Sequence, residues 1–249
     1  MSPLEILGIA AAGFAAGGIN AIVGSGSLIT FPTLLAFGYP SVVANVSNTV
    51  GLGPGSISGA LGYRRELGGQ RRRCVVYGAC SAAGAIVGGI LLLNLPGTVF
   101  ATLVPGLILL ACAMVVVQPW LVRRLADVQP GRLRGAGLIG VFLTGVYGGY
   151  FGAAQGVILI ALLGIVIDDS LQRLNALKNV LAGVANTVAA ILFICVSHVA
   201  WGAALLIAGG SIIGAQLGAR YGRRISPLVL RAVIVVVGTA VAIVLLARD

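Results

Sequence analysis

The feature that most limits this chain is a series of unbroken apolar runs, each about twenty residues long, separated by short clusters of Arg, Gly, Pro and Asn. At 1.5 Å per residue, about twenty helical residues match the ~30 Å of a bilayer's hydrocarbon. Strands of a membrane barrel would instead alternate apolar and polar residues over ~10 positions. A soluble globule could not hide these runs either. Of 249 residues, 59% are hydrophobic and 9% charged, with a mean hydropathy of +1.08, against about 25% charged in soluble domains. The expectation is an all-α polytopic membrane protein whose surroundings are the lipid bilayer.

A net charge of +10 does not point to nucleic acid, because the arginines cluster at the ends of the apolar runs. Arg64, Arg65, Arg71, Arg72 and Arg73 form one basic loop, Arg123, Arg124, Arg132 and Arg134 a second, and Arg220, Arg223 and Arg224 a third. The links near 38–41, 94–97 and 197–198 carry none. The positive-inside rule places the basic loops in the cytoplasm of an inner (plasma) membrane, with both termini on the outer side. The opening Met1-Ser2-Pro3-Leu4-Glu5 lacks a basic region, so the first run reads as a retained span and not a signal peptide.

The runs come in a repeated order. A long apolar block at 4–37 is interrupted at Gly24-Ser25-Gly26-Ser27 and followed by spans at 41–62, 74–94 and 98–118, the last ending at Gln118-Pro119-Trp120. A second block at 135–167 is interrupted near Gly148-Gly149 and Gln155-Gly156 and followed by spans at 174–196, 199–219 and 227–247. Each half reads as five segments opened by a broken helix or helical hairpin, and an odd number inverts the second half. The expected organisation is a first repeat at 1–120, a basic cytoplasmic linker at 121–134 and a second, inverted repeat at 135–249. Inverted repeats with interrupted segments in matching positions are the signature of a carrier with its site between the halves.

Candidate site residues follow from what lipid forbids. Backbone groups freed by a break must be satisfied by protein or line a watery cavity. The break at Gly24, Ser25, Gly26 and Ser27 would expose helix-end N–H groups and two hydroxyls, which together suit an anion. A glycine packing face is the competing reading. Asn20 precedes the break, and Asn45, Ser47 and Asn48 lie close together in the next span. Asn175, Asn179 and Asn186, at spacings of four and seven, share one helical face. These amides read either as site donors or as interhelical glue. Lys178, the one lysine, sits several residues inside its span. It attracts an anion, snorkels to the interface, or pairs with Asp168 or Asp169. Tyr147, Tyr150, Gln155 and Gly156 stand at the second break as ligand donors or as partners for freed carbonyls. Asp168-Asp169 reads as a helix cap. There is no P-loop, no plausible catalytic set and no spacing for a metal, so neither enzyme activity nor a cofactor is expected.

The stretch Ala16-Gly17-Gly18-Ile19-Asn20-Ala21-Ile22-Val23-Gly24-Ser25-Gly26-Ser27 resembles the opening of the sulfite exporter TauE/SafE family. So do Asn45-Val46-Ser47-Asn48, Pro54-Gly55-Ser56, Gly148-Gly149-Tyr150-Phe151-Gly152 and Asn175-Ala176-Leu177-Lys178-Asn179. The resemblance covers nearly the whole chain and implies a permease for sulfite, sulfonates or related organosulfur and organic anions. One departure is the second break, Gly-Ala-Ala-Gln-Gly in place of a glycine run. The resulting expectation is a secondary transporter working by alternating access around a midplane site. Its partners would be a small anionic substrate and a coupling ion, H+ or Na+, and a homodimer is compatible with the sequence. A passive anion channel or a non-transporting scaffold are the alternatives.

Overall fold

The computed structural model describes residues 1–125, 134–222 and 227–246. The middle of the expected linker and two arginines of the third basic loop, Arg223 and Arg224, lie outside the described residues. The described chain is all-helical: α1 (Pro3–Ile22), α2 (Ser27–Ala36), α3 (Ser41–Gly62), α4 (Arg71–Asn94), α5 (Gly97–Leu125), α6 (Arg134–Tyr150), α7 (Gln155–Val166), α8 (Leu171–Val196), α9 (Trp201–Tyr221) and α10 (Pro227–Leu246). Among the described residues, six helices are long and apolar enough to cross a membrane: α1, α4, α5, α8, α9 and α10. The chain is a multi-pass membrane protein.

Local chemistry sets several of these ends. Ser2 and Glu5 form a reciprocal capping box ahead of Pro3. Ser170, not Asp168 or Asp169, caps α8, its hydroxyl accepting from the Arg173 N–H. Asp169 instead pairs with Arg73 at 2.6 Å and Arg173 at 2.8 Å. Burial works against that carboxylate, but the two guanidiniums and the Ser170 N–H outweigh it and hold it below its ordinary range. Helix α5 does not stop at Pro119; it contains both Pro105 and Pro119 and continues to Leu125. The second interruption is not at Gly148-Gly149, which are helical, but between Tyr150 and Gln155.

Helices α2 and α7, of 10 and 12 residues, reach only about 15–18 Å at 1.5 Å per residue, too short to cross. Each folds back along the helix before it. Tyr39, beyond the end of α2, donates from its hydroxyl to Glu5 Oε1 at 2.6 Å, at the start of α1. Gly137, near the start of α6, faces Val166 at the end of α7. Both blocks are therefore hairpins that return to the end they started from.

The most extensive interfaces are α1–α9 and α4–α6, followed by α3–α9, α3–α8 and α4–α8. Exchanging α1–α5 with α6–α10 maps these pairings onto one another. Both leading interfaces bring backbones together at glycine: a Cβ at Gly17 would lie 2.2 Å from the Ser211 carbonyl, and one at Gly88 1.9 Å from that of Val146. Helix α3, although 22 residues long, is not among the apolar spans. It contacts α1, α2, α5, α8 and α9, so protein and not lipid surrounds its Asn45, Ser47, Asn48, Thr49 and Ser56, all buried.

Candidate anion site at the hairpin tips

The first tip turns at Gly24, whose φ of +90° favours glycine. The N–H groups of Val23 and Gly24 both reach back to the Ile19 carbonyl, which strands the carbonyls of Asn20 and Ala21. Helix α8 supplies the donors. Lys178 Nζ reaches Asn20 O at 3.1 Å and Ala21 O at 3.3 Å, and the Nδ2 groups of Asn179 and Asn175 reach Ala21 O at 3.1 and 3.3 Å. Lys178 is 1% exposed, so it neither snorkels nor pairs with an aspartate. It sits at the negative end of the α1 dipole, where a cation is favoured. On the other side of α1, Asn20 and Asn186 both donate to Ser56 Oγ, at 3.2 and 3.1 Å.

The second tip turns through Gly152 (φ +75°) and Ala154 (φ +59°). The left-handed conformation is uncommon for alanine. Its stranded carbonyls are taken by neutral groups: Asn45 Nδ2 donates to Tyr150 O at 2.9 Å, and the Tyr147 hydroxyl to Ala153 O at 2.6 Å. The two tips meet. Gly156 N–H donates to Gly24 O at 3.0 Å, and a Cβ on Gly156 would lie 2.5 Å from Gly24 Cα. The space between the breaks is thus filled by backbone, and the polar side chains stand around the contact.

Several of those side chains are incomplete. Ser25 Oγ, Asn45 Oδ1, Tyr150 Oη and Gln155 Nε2 are enclosed and have no hydrogen-bond partner. All four belong to segments that touch at the tips. The amides of Ser25, Gly26 and Ser27, in the turn and at the first residue of α2, make no backbone hydrogen bond among the described residues, whereas those of Leu28 and Ile29 bond to the Ser25 and Gly26 carbonyls. The result is an open helix N-terminus flanked by two hydroxyls and an amide donor, with the dipole favouring negative charge. Asn48 braces this end, donating to Ser27 Oγ at 3.2 Å and accepting from the Thr30 hydroxyl. Ser47 is directed elsewhere, its hydroxyl accepting from Ala200 N–H at 2.9 Å. Among the described residues no three His, Cys, Asp or Glu come together as metal ligands would.

Sequence reasoning missed the aromatic wall beside the tips. Phe31, Phe100 and Phe151 meet edge to face at 5.3–6.5 Å, and Tyr150 and Tyr147 extend the cluster. The signal was present in outline, since Phe31 and Phe151 lie within or just beyond the breaks, but Phe100 comes from a separate span. An apolar wall keeps water from the polar atoms and strengthens their action on a charge.

Comparison with known proteins identifies the family. The family model described as "Sulfite exporter TauE/SafE" matches residues 9–245. A probable membrane transporter protein, ORF9, of Sinorhizobium sp. is 30% identical over 95% of this chain and 90% of its own length. A probable membrane transporter protein of Haemophilus influenzae is 28% identical over 84% of this chain and 81% of its own. Probable membrane transporter protein YfcA of Escherichia coli K12 is 26% identical over 93% and 86%. No solved structure matches. The chain belongs to the sulfite exporter TauE/SafE family of membrane transporters.

Proposed function

We propose that this protein is a secondary transporter of small anions, of the sulfite, sulfonate and related organosulfur or organic class. The observation that carries the reading is the set of three enclosed, unpartnered donors around the tip contact, Ser25 Oγ, Tyr150 Oη and Gln155 Nε2, beside the free amides at the start of α2. An unmade hydrogen bond in an enclosed site costs about 1–3 kcal/mol, and a ligand that completes several of them recovers that cost. Ser25, Tyr150 and Gln155 donate to the anion. Gly24, Gly26 and Gly156 let backbone come close, and Asn45, Asn48, Asn175, Lys178, Asn179, Asn20 and Asn186 hold the surrounding frame.

The exchange of pairings between the two sets of five helices supports two repeats related by inversion, with the basic loops cytoplasmic and both termini outside. Alternating access then follows from one hairpin moving against the other, driven by a proton or sodium gradient. The sealed contact between Gly24 and Gly156 favours a carrier over a passive channel, which needs an uninterrupted path. Purified protein in liposomes tests this. Labelled sulfite or a sulfonate should show saturable flux, trans-acceleration by unlabelled anion and loss of flux in Gln155→Leu. Linear, non-saturating flux without trans-acceleration would establish the channel instead.

A further inference from the structure

A second pocket, partly open and with mixed polar and apolar walls, lies beside the first tip, at the arginine-rich end of the bundle. It measures about 340 Å³, room for roughly ten waters at about 30 Å³ each. Tyr63 just beyond α3, Gln118 of α5, Gln172 and Asn175 of α8, and Arg231 of α10 supply its polar lining, and Val23 at the first hairpin tip forms part of its wall. Arg231 reaches Gln118 Oε1 at 3.4 Å through Nη2. Its Nε is enclosed and has no partner. No acidic residue is among the described residues lining the space, and the nearby Asp169 is already held by Arg73 and Arg173. A guanidinium is a rigid fork of five donors. Here its enclosed Nε lies at a pocket whose described lining offers amides and no carboxylate to complete it, and an enclosed donor left unpaired is costly.

We propose that this cavity is a separate binding site for small oxyanions, in which Arg231 engages two anion oxygens and Gln118 and Gln172 complete the shell. It borders the first tip directly. Asn175, which lines it, donates to Ala21 O, the same carbonyl that receives Lys178. An oxyanion held here stands next to Val23, just before the turn that carries Ser25. Binding at this site is independent of the transport reading; only its role as the waiting position on the arginine-rich side rests on that reading.

The chain has two tryptophans, and one of them, Trp120, follows Gln118 closely on α5. In a Trp201→Phe background the remaining Trp120 reports on the cavity. Sulfate and methanesulfonate, titrated into protein in phosphate-free detergent, should give a saturable fluorescence change. Arg231→Gln should weaken it at least tenfold, Arg231→Lys by less, and Ser25→Ala should leave it unchanged. If Arg231→Gln fails to fold, Gln172→Leu serves, with a several-fold weakening expected. Unaltered titrations in the folded variants, or a change that chloride reproduces at equal concentration, overturn the proposal.

A second arm uses nanodiscs of phosphatidylcholine with or without phosphatidylglycerol. Sulfate binding in both identifies a free oxyanion; loss of binding only where the anionic lipid is present, through Arg231, assigns the cavity to a headgroup and overturns it. In liposomes Arg231→Gln should raise the KM from the arginine-rich side alone. A KM raised equally from both sides sinks the waiting-site role, while absence of all wild-type flux speaks against transport and leaves the fluorescence result standing.

Discussion

At the first hairpin tip the carbonyls stranded by the turn are taken by three side chains of α8, one of them a lysine. At the second they are taken by neutral groups, Asn45 Nδ2 and the Tyr147 hydroxyl. The first tip is therefore fastened to α8 by a charged donor at a helix C-terminus, whereas the second is held more lightly. The second also carries two of the four unpartnered atoms, on Tyr150 and Gln155, and a left-handed alanine. Such a difference marks the second hairpin as the element expected to move and the first as the one it moves against.

The sharpest way to break that comparison is to remove each fastening. Lys178→Met leaves the Asn20 carbonyl without its side-chain donor and takes one of three from Ala21 O, and is expected to cost about 3 kcal/mol, the range of hydrogen bonds to charged groups. Asn45→Leu removes one neutral bond and is expected to cost about 1 kcal/mol. Thermal or denaturant unfolding in detergent checks both, and equal losses would abolish the asymmetry. If Lys178→Met instead kept full stability and lost only flux, the lysine would be a ligand group and not a fastening.

An effect between those two is expected where the tips touch. A Cβ on Gly156 collides with Gly24 backbone, so Gly156→Ala should cost about 2 kcal/mol, as overpacking typically does. Gly164 in the same helix has open space around its would-be Cβ. Gly164→Ala should be silent or stabilising by up to about 1 kcal/mol. A harmless Gly156→Ala would show that the tips separate readily.

Unpartnered atoms should behave oppositely to fastened ones. Ser25→Ala removes an enclosed hydroxyl that bonds nothing, so stability should hold or rise slightly while anion flux falls at least tenfold. A clear drop in stability without a change in flux would make Ser25 a structural residue.

The smallest effect belongs to the loop ion pairs. Asp169 is held below its ordinary range in the folded protein, so its contribution is complete at neutral pH. It fades as pH falls through and below the usual carboxylate value of about 4. Its arginines are about one-third exposed, which limits the pairs to the modest range of surface salt bridges. Asp169→Asn should shift unfolding slightly at pH 7 and by progressively less as pH falls below about 4.

Much of this architecture was legible because lipid allows few solutions: continuous apolar runs, glycine-serine breaks and arginine-rich ends gave ten segments in the order observed. What escaped depended on contacts distant in sequence. Gly148-Gly149 looks like a break, yet both residues stay helical, and a Cβ on Gly149 would lie 2.2 Å from the Ala85 carbonyl. The real turn uses Ala154 at positive φ, which no propensity scale would select. Pro119 looks like a stop, but proline removes only one helical donor, and α5 continues past it. For Lys178 the sequence showed depth but not partner, since the carbonyls it serves lie 157 and 158 residues earlier. Arg231 drew no notice as a site residue, because the pocket it faces takes its walls from α1, α5, α7, α8 and α10.

That long separation has a consequence for how the protein is made. Helix α1 enters the bilayer well before α8 has been synthesised, with the Asn20 and Ala21 carbonyls awaiting donors that a later stretch of chain provides. Helix α3 joins it while too polar to be stable facing lipid alone. The first five helices released by themselves would keep bare backbone at membrane depth and present a ready substrate for quality-control proteolysis. Co-expression of the two halves as separate chains should therefore rescue each from degradation, since neither half is finished until the other arrives.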